Sequence, residues 1–287
     1  MTVDKKNFFL DPVFNLNDID YDIIGNPMFY PWSEEKQGWY KENVLQELKN
    51  NPSLWKILES NGYVVNGEIN WPTYSINKFG FRAEDWSTGE KGAIYIGCSD
   101  FFGVGNHLNE TATQIISNNL GVRNYNLSIP GAGLDHLYRV LKYHIADINT
   151  DYVFLLIPES TRRELYHGNH SNMLSARAFQ ELDFDWTDTV TSKTCLEDFY
   201  FGVLCENKNN FLHTNKALDA IKYICLENNK KLVFLKNPAF YLDSESVRIR
   251  QLAQKGLLSG DRSTACDLQH FGKVYQREIA KYFIEKL

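Results

Sequence analysis

The stretch Ala93-Ile-Tyr-Ile-Gly-Cys-Ser-Asp-Phe-Phe-Gly103 decides the fold that this sequence predicts. Its first four residues are apolar without interruption, which is typical of a strand buried on both faces. Gly97 ends this strand, and a loop then leads into a helical pattern from about Asn109 to Leu120. The small residues after the strand let the backbone turn sharply, so Ser99 is expected at the edge of a sheet.

The same alternation continues toward the end of the chain. Three further apolar runs predict strands at Val122–Leu127, Tyr152–Ile157 and Lys231–Leu235. Helical patterns separate and follow them at Leu134–Ile148, Thr214–Glu227, Ser244–Lys255 and Phe271–Leu287. Near-continuous apolar strands that alternate with helices predict an α/β fold with a parallel sheet covered on both faces. Such sheets place their functional sites at the carboxyl ends of the strands.

The first 90 residues do not follow this pattern, and we expect them to form an N-terminal arm or subdomain laid against the main domain. Trp39–Leu58 predicts one or two amphipathic helices. Gly62–Trp71 predicts a hairpin that turns at Asn66-Gly67, because this dipeptide favours the backbone of a tight turn.

The main domain is expected to span residues 91–287, with one interruption. After the third strand, residues from about 160 to 212 are polar and show no clear periodicity. This segment predicts an insertion or lid.

Composition and charge exclude several classes of protein. The chain has 287 residues, 43% of them hydrophobic, and a net charge of -6, which describes a globular protein and argues against a general nucleic-acid binder. No apolar run approaches the roughly 18 residues of a membrane span. The N-terminus lacks a signal-peptide core, so we expect no signal peptide and a cytoplasmic location. The five cysteines include no CxxC pair, which argues against a zinc site or a disulfide framework.

Two distant segments carry residue types that suggest catalysis. Ser99 follows the first strand, where a nucleophile would meet the free N–H groups of a helix start. Asp267 and His270 lie three residues apart before the final helix, so the carboxylate can hold the imidazole tautomer. The alternatives are that Ser99 only caps the helix or satisfies the loop, and that Asp267 caps a helix while His270 is a surface residue.

Together these segments resemble one family, the SGNH (GDSL-type) hydrolases. The resemblance covers about residues 75–160 and 214–287, and the variant Gly-Cys-Ser with Arg162 is closest to a branch found in marine bacteria and tailed phages. The segments that carry it are Ile76-Asn-Lys-Phe-Gly-Phe-Arg82, Gly97-Cys-Ser99 with Gly103, Asn126-Leu-Ser-Ile-Pro-Gly-Ala-Gly133 and Asp267-Leu-Gln-His270.

The resemblance implies a flavodoxin-like three-layer α/β/α fold and hydrolysis of acyl esters, such as O-acetyl groups on carbohydrates. It implies that Ser99 is the nucleophile, His270 the general base and Asp267 the residue that orients it. The backbone N–H of Ser99 and of Gly131 or Gly133 would contribute to the oxyanion hole. The expected partner is a small-molecule or glycan acyl ester, and the chemistry requires no metal or organic cofactor.

One departure from the family bears on activity. The family supplies an Asn side chain to the oxyanion hole after the third strand, but here that segment reads Leu155-Leu-Ile-Pro-Glu-Ser-Thr-Arg-Arg163. A replacement donor could come from Ser160, Thr161 or Arg162. Losing one such donor typically costs about 10²–10³ in rate.

The departure leaves a second hypothesis open, a non-catalytic binding or virion structural protein on the same fold. Such a protein would be virion-associated if viral, and either a homo-oligomer or a virion assembly would fit it. Arg162 itself has two interpretations, a clamp on an anionic substrate group or an ion pair at the lip of the sheet. Cys98 is a rival nucleophile by residue type, but its neighbouring position aims it at the opposite face, so we expect it to pack.

Overall fold

The computed structural model of the protein describes residues 34–167, 170–174, 200–254, 265–268 and 270–287. The predicted arm contributes two helices, α1 (Glu34–Asn50) and α2 (Leu54–Ser60), and a hairpin of β1 (Val64–Val65) and β2 (Glu68–Ile69). The turn has positive φ at Asn66 (53°) and Gly67 (80°), as the sequence predicts. Residues 1–33 of the arm lie outside the described residues.

The main domain continues in the predicted alternation. Along the chain its elements are β3 (Gly92–Ile96), α3 (Ser99–Phe102), α4 (Ala112–Leu120), β4 (Arg123–Asn126), α5 (Leu134–His144), β5 (Thr150–Ile157), a hairpin of β6 (Arg163–His167) and β7 (His170–Leu174), α6 (Asn207–Glu227), β8 (Lys231–Lys236), α7 (Ser244–Gln254) and α8 (Lys273–Glu285). None of the helices in the described ranges is long and apolar enough to cross a membrane.

The central sheet has four parallel strands in the order β4-β3-β5-β8. In order of appearance along the chain this is 2-1-3-4, the order of the first four strands of a flavodoxin-like sheet. After β3 the chain continues to β4 on one side of the sheet, and after β5 it continues to β8 on the other side. The loops that follow β3 and β5 therefore flank the topological switch point. Ligands of open α/β sheets bind at this position.

Alternation along the strands builds one core on each face of the sheet. Ile94 and Ile96 of β3 point to the face covered by α5 and α6, and Ala93 and Tyr95 point to the face covered by α4, α7 and α8. All four side chains are fully buried, which explains why the run contains no polar residue. The predicted three-layer α/β/α architecture is therefore confirmed.

The insertion differs from its prediction at both ends. Its first part is an antiparallel hairpin, with Arg163 paired to Leu174, and α6 begins seven residues earlier than predicted. Glu206 caps α6, because its carboxylate accepts hydrogen bonds from the N–H groups of Lys208 and Asn209. Residues 175–199 of the insertion lie outside the described residues.

Candidate active site

Ser99 is the first residue of α3, directly beyond the carboxyl end of β3. Cys98 occupies the N-cap position with φ of -98°, and no side chain caps the helix. The Ser99 hydroxyl is therefore not used as a helix cap, which removes that alternative for this residue. Ser99 is 8% exposed, so its side chain lies at the edge of the core.

Two buried polar side chains hold the Ser99 segment in place. Asn126, at the end of β4, donates from Nδ2 to the carbonyl of Phe101 at 2.8 Å. Arg82, from the lead-in that resembles the family, donates to the carbonyls of Phe102 and Gly103 at 3.0 and 2.8 Å. Because these carbonyls lie at the end of α3, the two side chains fix the C-terminal end of the short helix that begins with Ser99.

Asp267 and His270 form the expected pair. Nδ1 of His270 lies 2.5 Å from Oδ2 of Asp267, and the His270 N–H donates to Oδ1 at 3.1 Å. The carboxylate is 4% exposed and the imidazole 19% exposed. A carboxylate that accepts from Nδ1–H leaves Nε2 as the basic nitrogen, which a general base requires. The N-cap of α8 is Gly272, so Asp267 does not serve as its cap.

The same carboxylate controls the charge state of the imidazole. Burial by itself disfavours the charged ring, but the charge and hydrogen bond of Asp267 outweigh it, so the pKa of His270 lies above its usual value. The charge of Asp100 acts in the same direction and that of Arg162 acts against it. His270 is thus within electrostatic reach of both segments that follow β3 and β5.

Direct contacts bring the two distant segments to the same edge of the sheet. The Cys266 N–H donates to the carbonyl of Gly105 at 2.9 Å, and Asn106 Nδ2 donates to the carbonyl of Phe271 at 3.0 Å. Gln276 Nε2 donates to the carbonyl of Asp100 at 2.9 Å. Within the described part of the chain, no hydrogen bond joins the Ser99 hydroxyl to the His270 ring.

The predicted oxyanion donors lie in the loop after β4. The Ala132 N–H donates to the carbonyl of Ile129 at 3.0 Å, and Gly131 has φ of +86°, so Ile129-Pro-Gly-Ala132 has the residues and backbone of a type II turn. Gly133 is the N-cap of α5. Among the described residues, the N–H groups of Ser99, Gly131 and Gly133 donate no hydrogen bond.

Arg162 follows β5, on the other side of the switch point. Its side chain is 14% exposed, and Nε lies 3.5 Å from Oε2 of Glu159. Its backbone carbonyl lies against Gly133, where an added Cβ would come within 2.8 Å of it. The predicted ion pair of Arg162 is therefore present, but only as this one long contact with Glu159. The loop that carries Arg162 adjoins the candidate oxyanion loop.

Asp100 and Asn237 are two residues of this edge that sequence reasoning missed. Asn237, directly after β8, donates from Nδ2 to Oδ2 of Asp100 at 2.6 Å and accepts from the Tyr275 hydroxyl at 3.3 Å. All these groups are buried. The position of Asn237 at the carboxyl end of a predicted strand was a signal that could have found it.

Cys98 is buried, as predicted. Asn237 Nδ2 lies 3.8 Å from its sulfur, and burial raises the pKa of the Cys98 thiol. A thiol that resists ionisation is a poor nucleophile. These observations argue against Cys98 as the rival nucleophile.

The arm packs against the loop that carries Asp267 and His270. Tyr63 of the arm shares a cluster with Cys266 and Leu268, and its hydroxyl donates to Oδ1 of Asn106 at 3.0 Å. Asn106 in turn holds the carbonyl of Phe271. The arm is thus in direct contact with both segments of the candidate site.

Comparison with protein-family models, with curated proteins and with solved structures finds no match to this chain. The class of protein is therefore defined by the fold and the site alone: a three-layer α/β/α domain with a histidine–aspartate pair whose loop is hydrogen-bonded to the segment that follows Ser99, at the carboxyl edge of the sheet.

Proposed function

We propose that the protein is a serine ester hydrolase of the SGNH type that acts through an acyl-enzyme on Ser99. The observation that carries this proposal is the Asp267–His270 pair, held against the Ser99 loop by the contact between Cys266 and Gly105. A carboxylate, an imidazole and a hydroxyl at one rim are the groups that acyl transfer requires.

In the proposed reaction, Ser99 Oγ attacks the carbonyl carbon of the ester while Nε2 of His270 takes the hydroxyl proton. The ester C–O bond then breaks, and the imidazolium returns the proton to the leaving alcohol. Water, activated by the same nitrogen, hydrolyses the acyl-enzyme. The N–H groups of Ser99 and of Gly131 or Gly133 would stabilise the oxyanion, and their freedom from other hydrogen bonds supports this role.

Covalent labelling of the full chain with a fluorophosphonate tests the proposal directly. We expect the wild-type chain to be labelled, Ser99→Ala to lose the label, and Cys98→Ala to keep it, because the thiol is buried. Turnover of a model acyl ester should follow the same pattern. A label that persists in Ser99→Ala would assign the reactive group elsewhere.

The second candidate is a non-catalytic binding or virion structural protein with the same fold. Two observations favour it: the segment after β5 has no Asn, and among the described contacts the Ser99 hydroxyl makes no hydrogen bond to His270. A wild-type chain that neither reacts with the fluorophosphonate nor turns over esters would overturn the first proposal in favour of this one.

A further inference from the structure

Arg162 carries a positive charge that the described residues do not neutralise through hydrogen bonds. Its Nε and Nη1 atoms are buried and have no hydrogen-bond partner among these residues. The 3.5 Å ion pair with Glu159 supplies no hydrogen bond to Nε, and Glu159 also accepts from the Thr161 hydroxyl at 2.8 Å. Buried donors on a charged group are costly to leave unpaired, so this arrangement fits a group that binds an anion.

The guanidinium lies beside the candidate site. The backbone carbonyl of Arg162 lies against Gly133 of the candidate oxyanion loop, and the positive charge of its side chain partly opposes the raised pKa of His270 and of Cys98. Phe240, which is 41% exposed, has its ring centre 5.3 Å from the guanidinium carbon. A ligand at this point would therefore meet a cation and an aromatic ring, on a segment that adjoins the candidate oxyanion loop.

We propose that Arg162 binds a carboxylate on the substrate, so that the preferred substrates are esters that carry a negative charge near the scissile carbonyl. A guanidinium recognises the two oxygens of a carboxylate with paired hydrogen bonds. This inference rests on the proposed ester hydrolysis for its substrate class. The buried cation supports anion binding even without catalysis.

A pair of esters that differ in charge tests the proposal. For 4-nitrophenyl acetate, which is neutral, and mono-4-nitrophenyl succinate, which carries a free carboxylate, kcat/KM is measured in each variant. We expect Arg162→Gln to reduce kcat/KM for the succinate ester by about tenfold or more and for the acetate ester by less than about threefold. Arg162→Lys should restore part of the loss, because it keeps the charge but not the paired donors.

The control variant is Arg248→Gln, which removes an exposed arginine on α7 and should leave kcat/KM unchanged for both esters. An equal loss on both esters in Arg162→Gln would assign Arg162 to the transition-state oxyanion and overturn the proposal. Circular dichroism and thermal unfolding show whether each variant is folded.

A binding measurement separates this proposal from the proposed function. Titration of Ser99→Ala with succinate, followed by calorimetry, should show binding that is lost when Arg162→Gln is added. If the wild type turns over neither ester but succinate binds through Arg162, ester hydrolysis fails and anion binding stands. If succinate does not bind, the Arg162 proposal is overturned whatever the catalytic result.

Discussion

Gly105 lies in the loop that follows α3, where this loop contacts the loop that carries Asp267. The space around its Cα admits a hydrogen but no side chain. An added Cβ would come within 2.7 Å of the Ala265 Cβ and 2.8 Å of the Asp267 carboxylate. Its N–H donates to the Tyr74 hydroxyl at 2.8 Å and its carbonyl accepts from Cys266, so the backbone is fixed from both sides. Its φ of +74° also favours glycine.

We expect Gly105→Ala to displace Asp267, to lower stability and to lower the proposed ester turnover. Overpacking and a positive φ together should cost about 1–3 kcal/mol in the free energy of unfolding, measured by urea denaturation. The matched control is Gly121→Ala, where φ is +64° but nothing lies within 4 Å of the added Cβ. If the two substitutions lower stability and turnover equally, the effect comes from the strain of a positive φ alone and not from contact with Asp267.

At this scale, sequence patterns predicted some roles and missed others. The strand-then-turn pattern placed Ser99, and the three-residue spacing brought Asp267 to His270. Arg82 was quoted only as part of a lead-in, but it donates to three backbone carbonyls in the loop after β3. Such a role depends on tertiary contacts across about twenty residues, which local periodicity does not contain.

Among the elements, the arm matters most for the proposed site. Its helices and hairpin bury Val44, Leu48, Leu58 and Tyr63 together with Cys266, which precedes Asp267. The His107 ring also contacts the carbonyl of Asn70, with Nε2 at 3.1 Å. The arm therefore restricts the segment that positions the histidine–aspartate pair.

We expect Tyr63→Phe to loosen this restriction. It removes the hydroxyl that donates to the buried Asn106 Oδ1, and an unpaired buried acceptor costs about 1–3 kcal/mol. Urea denaturation measures this loss, and faster hydrogen exchange of the Cys266 amide would show that the loop that carries Asp267 opens more often. The control is Tyr223→Phe, at an exposed position on α6. Unchanged exchange at Cys266 would contradict the role assigned to the arm.

The helices and strands were predicted correctly where the buried contacts are apolar and were missed where the buried contacts are polar. The strands of the central sheet followed from apolar runs, and the β1–β2 turn from Asn66-Gly67. The sequence did not predict the first turns of α6, because this part of the helix packs through polar contacts. Asn210, which is buried there, accepts a hydrogen bond from Arg163 of β6 at 2.5 Å. A helix end and a hairpin joined by polar contacts leave no apolar period in the sequence.

Across the whole molecule, buried charges link the insertion to the sheet domain. Arg139 of α5 donates from Nε and Nη2 to Glu164 of β6 at 3.1 and 2.7 Å. His136 is fully buried beside this pair, with Nδ1 3.5 Å from Glu164 Oε1. Burial, which outweighs the attraction of Glu164, lowers the pKa of His136 to about 4.

From the shifted pKa values of His136, His213 and His270 we expect the free energy of unfolding to be largest near neutral pH. The folded-state pKa of His136 lies below its unfolded value of about 6.5, so the unfolded chain binds more protons and stability falls as the pH drops from 6.5 toward 4. The pKa of His213 is also lowered to about 4, mainly by burial, and acts in the same direction. His270 acts oppositely: its raised folded-state pKa adds stability below about pH 6.5 that is lost as the pH rises through that pKa.

The test is urea denaturation at several pH values, restricted at the acid end to about pH 5–6.5, where most carboxylates are still ionised. Wild type should lose stability across this window, and His136→Gln should reduce the slope, because the substituted side chain has no proton to bind. The absolute stability of the variant is not the readout, since a new amide beside Glu164 changes it at every pH. A slope that is the same in wild type and variant would mean that His136 binds protons equally in the folded and the unfolded chain, so that burial does not lower its pKa.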